Sequence, residues 1–236
     1  QIPLSLPAIA IDELQDMFID GLNKLIDEYC LDISDNDWER FWETFRDYML
    51  PSLSTPRAIK RYLNLLTFTL PSGKRELNAV DIILLTGLRV LYPKTYNNIR
   101  LQKNLLTDTS YEFYFDSDDE RKKNIQTQLE KLIDPNELGS KPIIRELFPV
   151  IREVYYTSHT YNSNDLSKDK RVASVDYFDR YFTFGISKTD IADSDIITIL
   201  QLDDPAKITK SLNSAAVSPK KQKLILRKIL QYKNAI

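Results

Sequence analysis

The sequence predicts an all-α fold, an irregular bundle of about ten helices with a short extended segment at the N-terminus. Apolar residues recur at the three- and four-residue spacing of one helix face through most of the chain. Ser, Thr or Asn stands before several of these runs, often followed by Pro, as is typical of helix starts. Glycine is scarce, with 5 in 236 residues, which disfavours a turn-rich β sandwich or barrel. No convincing strand pattern occurs outside residues 1–6.

The N-terminal part is predicted to contain one extended segment and two helices. Pro3 and Pro7 hold residues 1–9 extended, because a proline restricts the residue before it. A helix follows over roughly 11–30, and Ser34 is the expected N-cap of the next helix. An aromatic stripe on that second helix is typical of a buried core, although it also fits a cofactor site or a stacked base. The stripe consists of Trp38, Phe41, Trp42 and Phe45.

Capping residues and prolines divide the rest of the chain into helices, and polar runs predict loops over 107–116 and 158–170. We divide the chain into two helical subdomains, 1–110 and 111–236, a division that also fits one continuous domain. The remaining predicted helices run from Thr55-Pro56 to about Leu70 (ended by Pro71-Ser72-Gly73), from Asn78 to Leu91, from Pro93 to Leu106, over 117–133, about 140–148, 175–182 after Ser174, about 193–202, about 205–213, and from Ser218-Pro219 to the end.

The charge balance and the single cysteine limit which partners and which cellular compartment fit this protein. The 32 basic and 34 acidic residues give a net charge of −2, so no overall excess of cations favours nucleic acid. Cys30 has no partner for a disulfide, which fits a reducing, cytoplasmic compartment. The longest apolar stretch, 79–91, contains Asp81 and Arg89 and is too short to span a bilayer. No signal peptide occurs, and a start at Gln1 rather than Met favours a piece of a longer chain.

No complete catalytic or metal-binding motif occurs in the sequence. The sequence has one histidine, His159, and HExxH zinc sites, Cys/His zinc sites and most His-based triads need more than this. No G-x-S-x-G elbow is present, and Gly73-Lys74 lacks the other residues of a phosphate-binding loop. The acidic run 116–119 lacks the glycine that a calcium loop requires, and it fits a helix cap better. We therefore expect neither catalysis nor a metal or cofactor bound by this chain alone.

Three cations occupy the first two turns of the helix that begins at Thr55-Pro56. Arg57, Lys60 and Arg61 lie in the run TPRAIKRYLN, and the helix macrodipole disfavours each cation there by about 0.3–1 kcal/mol. A polyphosphate would offset this cost, because exposed N–H groups with Arg and Lys make an anion site. Salt bridges to acidic residues elsewhere in the fold would offset it equally well. The residues alone leave both interpretations open.

A second cluster combines aromatic residues with arginine around residue 180. Phe178, Tyr181 and Phe182 share one helix face, Arg180 lies beside them and Arg171 precedes them. Core packing with a surface cation is the ordinary explanation of such a stripe. The alternative is a contact with a partner domain, for which Arg171, Phe178, Arg180 and Tyr181 are the candidates.

An ordered set of short motifs spans roughly residues 1–200. The motifs are Ile2 to Pro7; Thr55-Pro56-Arg57 through Lys60-Arg61 to Asn64; Asp81 through Leu88-Arg89-Val90 to Tyr92-Pro93, Tyr96 and Asn104-Leu105-Leu106; Leu147-Phe148-Pro149; and Arg171, Ser174, Phe178 to Phe182 and Asp190 to Asp193. In this order they resemble the helical region that follows the nucleotide-binding core in the KAP family of P-loop NTPases.

The resemblance implies a lid that covers a bound nucleotide and relays its state. Family members hydrolyse ATP with a phosphate loop and a Mg²⁺-binding acidic strand, and both lie upstream of this region. The resemblance assigns phosphate sensing to Arg57, with support from Lys60 and Arg61. It implies the upstream core of the same chain as a partner, together with a homo-oligomer or an effector protein. Many members are membrane-associated through segments in the core, and bacterial members are linked to phage or plasmid defence; this region itself is not expected to insert in a membrane.

Two other functions also fit the sequence. A stand-alone interaction module would bind a protein or peptide in a groove lined by Trp38, Trp42 and Phe45. The basic last helix would bind nucleic acid, although a solvated face of an amphipathic helix is the simpler explanation and argues against this partner. Its basic residues are Lys220, Lys221, Lys223, Arg227, Lys228 and Lys233.

Overall fold

Helices form nearly all of the regular structure in the computed structural model, which describes residues 9–107, 119–156, 163–183, 185–187 and 190–232. No strand occurs within these ranges, so the prediction of an all-α fold is confirmed. A π-helical segment (Phe45–Met49) extends α2 and leads into a short 3₁₀ turn (Leu50–Ser52). The α-helices of the described ranges are α1 (Ile11–Tyr29), α2 (Asp35–Thr44), α3 (Pro56–Gly73), α4 (Ala79–Leu91), α5 (Pro93–Ile99), α6 (Lys103–Leu106), α7 (Asp119–Leu132), α8 (Lys141–Leu147), α9 (Pro149–Tyr156), α10 (Ser163–Lys168), α11 (Phe178–Thr183), α12 (Asp193–Leu200), α13 (Pro205–Ala215) and α14 (Pro219–Tyr232).

Three predicted N-caps make the expected side-chain hydrogen bonds. The Ser34 hydroxyl accepts from the Asp37 amide at 3.2 Å, and the Thr55 hydroxyl accepts from the Ala58 amide at 3.2 Å. The Asn78 side chain accepts from the Asp81 amide at 3.0 Å. Each cap satisfies one amide that the helix itself cannot, which is worth about 1 kcal/mol.

Helix α4 is the centre of the main apolar core. Nearly every residue between Val80 and Val90 is buried, because α3 packs along α4 and α1 packs along α3. Aromatic rings fill the contact between these helices, with the Phe18 centroid 4.3 Å from that of Phe45 and 5.1 Å from that of Tyr62. The buried part of the aromatic stripe therefore belongs to the core, as its spacing indicates.

Gly87 allows the π-helical segment and α3 to approach α4 closely. A β-carbon at this position would lie 2.0 Å from the Met49 methyl carbon and 2.8 Å from the Tyr62 hydroxyl. That hydroxyl donates a hydrogen bond of 2.6 Å to the Ile83 carbonyl, so it has a fixed position. Only glycine fits here without displacing a buried side chain.

Several predicted boundaries in the middle of the chain are wrong. The helix that begins at Pro93 ends at Ile99, and a separate turn of helix, α6, follows. The helix predicted over 175–182 starts only at Phe178, because the residues before it form tight turns around Ser174. Residues 163–168, predicted as part of an exposed loop, form α10, because Leu166 is apolar and buried.

Some sequence-based predictions concern residues outside the described ranges. These are the extended segment before residue 9, the loop and acidic run over 108–118, and His159.

The C-terminal unit, α12 to α14, has a small apolar cluster of its own. Its buried apolar residues are Ile191, Ile196, Leu224 and Ile225. The main cluster runs from Leu14 to Tyr181 and includes residues on both sides of position 110, the predicted boundary between the two subdomains. None of the helices in the described ranges combines the length and the apolar character that a membrane crossing requires.

Candidate functional site

Two of the three predicted cations project from the start of α3 without an acidic partner. Arg57 and Lys60 are exposed, and within the described ranges no carboxylate lies within 4.0 Å of either. The opposite face of α3 is fully buried through Ile59, Tyr62 and Leu66, so the direction of the exposed face is fixed. The salt bridges that would explain these two cations structurally are thus not found among the described residues.

Arg61, the third cation, has a structural partner. Its Nη2 donates a hydrogen bond of 2.6 Å to the carbonyl of Val90, in the last turn of α4. Carbonyls in the last turn of a helix lack an intrahelical donor, and a cation there also suits the macrodipole. Arg61 therefore caps α4 and ties the start of α3 to it, a role that accounts for its charge.

The exposed face of α3 continues beyond these cations to an aromatic residue. Asn64 and Phe68 are both exposed, and they follow Arg57 and Arg61 at helical spacing on the same side of α3. Phe68 is 71% exposed, one of the most exposed large apolar side chains in the described ranges. The sequence analysis missed Phe68, although its position seven residues after Arg61 was a usable signal.

The four candidates for an interdomain contact lie inside the chain. Arg171, Phe178, Arg180 and Tyr181 are all buried. The Phe178 ring packs on the core with its centroid 6.2 Å from that of Phe148, and the Tyr181 hydroxyl donates to the Lys170 carbonyl at 2.7 Å. Their described contacts are intramolecular, so an interdomain role for these residues stays a prediction without a contact that supports it.

Arg171 belongs to a buried ion network centred on Asp81, in the first turn of α4. The Arg171 Nε lies 2.9 and 3.0 Å from the two Asp81 carboxylate oxygens, and Arg40 Nη1 donates to the same carboxylate at 2.8 Å. The amide of Val172 adds a third donor at 2.7 Å. Glu146 completes the network, since its Oε1 accepts from Arg40 at 3.4 Å. A carboxylate in the first turn of a mostly apolar helix was the sequence signal for this network.

The environment shifts the two carboxyl groups of this network in opposite directions. Burial by itself raises the pKa of Asp81, but Arg171 and Arg40 outweigh it, so that pKa lies below its usual value. Burial raises the pKa of Glu146, and the nearby arginines do not fully offset this effect. Asp81 is therefore the firmly ionised partner of the two arginines.

A second buried ion network is centred on Asp193, at the start of α12. The Lys228 ammonium donates to its Oδ1, while the hydroxyls of Tyr177 and Tyr232 donate to Oδ2 at 2.7 and 2.9 Å. Lys228 lies over the Tyr177 ring, 4.6 Å from its centroid. Burial raises the pKa of Asp193, but Lys228 outweighs it and the pKa is lowered. This network joins α14 to the main body.

Arg180 extends the second network to the turn before α4. Its Nε and Nη2 bind the Asp190 carboxylate at 2.6 and 2.9 Å, and its Nη1 donates to Glu76 at 2.9 Å. Glu76 in turn accepts from the Asp193 and Ser194 amides at 2.8 and 3.1 Å, so it caps α12. The expectation that Arg180 is a surface cation is therefore wrong. Its guanidinium group is buried and bonds to three carboxylates and one backbone carbonyl.

Some of the residues on which the two alternative functions depend are internal. Phe45 is fully buried, and Trp38 and Trp42 are half-buried with their rings stacked 6.1 Å apart against the core. Lys228, one of the cations of the basic last helix, is fully buried. Phe45 therefore does not line an exposed groove and Lys228 does not belong to a solvated face, while both alternative functions stay predictions.

A cleft of about 680 Å³ opens where α1 and α3 end and α2 and α4 begin. Its rim carries Lys74, Arg75 and Lys168, but Asp32 and Asp169 lie on the same rim. This mixture of charges favours neither an anion nor a cation. Within the described ranges, no group of three or more His, Cys, Asp or Glu side chains is placed to hold a metal ion.

Comparison with known proteins gives no relative for this chain. No protein family, curated protein or solved structure matches it.

Proposed function

We propose that this chain is the helical lid and regulatory region of a KAP-type P-loop ATPase. In this proposal Arg57 and Lys60 contact the phosphates of an ATP molecule that the upstream core of the parent protein holds with Mg²⁺. The region senses the bound nucleotide and couples hydrolysis to a conformational change, in the cytoplasm and in a setting such as defence against phages or plasmids. Its partners are the core and, downstream, an effector protein or other copies.

The observation that carries the proposal is the pair of cations without acidic partners at the start of α3. Cations at this end of a helix are unfavourable, and the described residues offer Arg57 and Lys60 no carboxylate that would offset this. The two exposed cations together suit an anion of high charge density. A triphosphate is such an anion.

The packing of α3 supports a relay of the nucleotide state into the rest of the chain. The buried face of α3 lies against α4, and Arg61 holds the start of α3 to the end of α4. Asp81 fixes the other end of α4 through the buried ion network. A displacement of α3 by phosphate would therefore move α4 and the residues bound to Asp81.

The parent ATPase carrying Arg57→Ala provides the test. We expect ATP turnover to fall by about 10²-fold, the typical effect of removing one preorganised donor to a phosphoryl or oxyanion charge. Lys24→Ala is the matched control, because Lys24 is an exposed cation on α1 that also lacks a carboxylate within 4.0 Å among the described residues. Equal turnover of the two variants, or a parent gene without a phosphate loop ahead of Gln1, would reject the proposal.

A further inference from the structure

The two ends of the chain carry opposite charge. Helix α1 contains six acidic residues and a single basic one, Lys24. No acidic residue follows Asp204, while eight lysines and arginines do. The chain as a whole has a net charge of only −2, so this separation, rather than the total, is its main electrostatic feature.

Helix α14 carries five of these eight cations and also exposes two leucines. Leu226 and Leu230 are 63% and 69% exposed, and their four-residue spacing places them on one side of α14, opposite the buried Leu224 and Ile225. Lys223 is exposed beside them and lies more than 4.0 Å from any carboxylate among the described residues. This surface is apolar at its centre and cationic at its edge.

Helix α1 presents the complementary surface at its N-terminal end. Ile9 and Ile11 are 46% and 53% exposed, and Asp12, Glu13 and Asp16 are exposed next to them. None of the acidic residues of α1 forms an ion pair with a described residue. This surface is apolar at its centre and anionic at its edge.

We propose that the α14 surface of one copy of this protein binds the α1 surface of a second copy. Two pairs of exposed aliphatic side chains would be covered together, and lysine and arginine would face aspartate and glutamate across the contact. Two α14 surfaces brought together would instead place cations against cations, so the contact is between unlike surfaces. The proposal is independent of nucleotide sensing by Arg57.

The test measures the mass of the full 236-residue chain by sedimentation velocity between about 10 and 300 µM, where weak association becomes visible. We expect the average mass to rise with concentration and to fall again in about 0.5 M NaCl, because exposed charges are screened.

Leu230→Asp and Lys223→Glu should each raise the dissociation constant about tenfold or more. Leu101→Asp is the control, since Leu101 is 72% exposed but lies outside both surfaces, and it should associate like the original chain.

A mixing experiment tests whether the two surfaces are unlike. Leu230→Ser damages the α14 surface alone, and the double change Asp12→Ser with Asp16→Ser damages the α1 surface alone, and neither adds a charge that could attract the other damaged surface. Each variant should be monomeric by itself, but an equimolar mixture should form a dimer, because each supplies the surface that the other lacks. The proposal is overturned if the original chain stays monomeric throughout, if the mixture stays monomeric, or if α14 binds anionic lipid vesicles while the chain does not self-associate.

Discussion

The main body and the C-terminal unit are stabilised in different ways. The main body contains helices that are buried on several sides, and its apolar cluster extends from Leu14 to Tyr181. The C-terminal unit buries only four apolar side chains, and α13 buries none. A core of this size is marginal by itself, so the contacts that join the unit to the body carry more of its stability.

Two buried ion networks occur among the described residues, and they lie in different places. The Asp81 network is enclosed by helices of the main body, whereas the Asp193 network lies at the junction between that body and α14. A buried ion pair adds little stability relative to apolar packing, but the loss of one partner is costly because the other stays charged and buried. We infer that the first network specifies how the body packs and the second specifies where the C-terminal unit docks.

Removal of the central carboxylate of the main body should have the largest effect. Asp81→Ala leaves the guanidinium groups of Arg40 and Arg171 buried without their principal counter-ion. We expect the free energy of unfolding to fall by about 3–5 kcal/mol, measured by urea denaturation of the whole chain. A loss below 1 kcal/mol would show that water or other groups solvate these arginines.

Removal of the buried ammonium at the junction should loosen the C-terminal unit alone. Lys228→Met keeps an unbranched side chain, one atom shorter, but deprives Asp193 of one charged donor, an interaction worth about 1.5–3 kcal/mol. Hydrogen exchange should accelerate over residues 193–232 and stay unchanged in α3 and α4. Lys223→Met, a change of an exposed lysine on the same helix, is the control and should leave both regions unchanged. Equal acceleration in both regions would contradict the separation between them.

Acid should release the C-terminal unit before it affects the main body. The pKa of Asp193 is lowered in the fold, so its contribution is present above its usual pKa of 3.8 and is lost as the pH falls below that value. Asp81 behaves in the same way. The raised pKa values of Glu146 in the main body and of Asp176, which pairs with Arg227 of α14, have the opposite sign, because protonation removes a buried charge. The carboxyl groups thus act alike in both regions, and the small apolar core of the C-terminal unit determines the order, so hydrogen exchange followed from pH 6 to pH 3 should accelerate first over 193–232. Simultaneous loss of protection would contradict this order.

A surface ion pair should have the smallest effect. Arg46 and Asp47 are both exposed and lie 2.9 Å apart. Asp47→Ala should change the free energy of unfolding by about 0–1 kcal/mol, because water and salt screen exposed pairs. Urea denaturation beside Asp81→Ala gives the contrast, and a loss as large as that of Asp81→Ala would mean that exposure does not determine what an ion pair contributes in this protein.

Local features of the fold were predictable from the sequence, and long-range polar contacts were not. Ser34, Thr55 and Asn78 act on amides only three residues away, so their roles could be deduced from neighbours in the chain. Arg180 binds Glu76 across a separation of 104 residues. No periodicity relates those two positions, and an exposed arginine gives the same sequence pattern as a buried one.

The candidate site at the start of α3 was predicted only in part, because it too combines local features with a long-range contact. The sequence placed Arg57, Lys60 and Arg61 at the start of one helix, and the structure places all three there. It could not separate Arg61, which caps α4 through the Val90 carbonyl, from the two cations without a partner, because that contact depends on how α3 packs against α4. The nucleotide-sensing function itself stays a prediction.

The affinity of the proposed parent ATPase for ATP relative to ADP tests the central claim most directly. If Arg57 and Lys60 contact the terminal phosphate, the double variant Arg57→Ala with Lys60→Ala should bind ATP about tenfold or more weakly while its affinity for ADP changes little. Lys24→Ala should keep the original ratio. An unchanged ratio in the double variant would contradict the claim that the start of α3 meets the phosphates of a nucleotide.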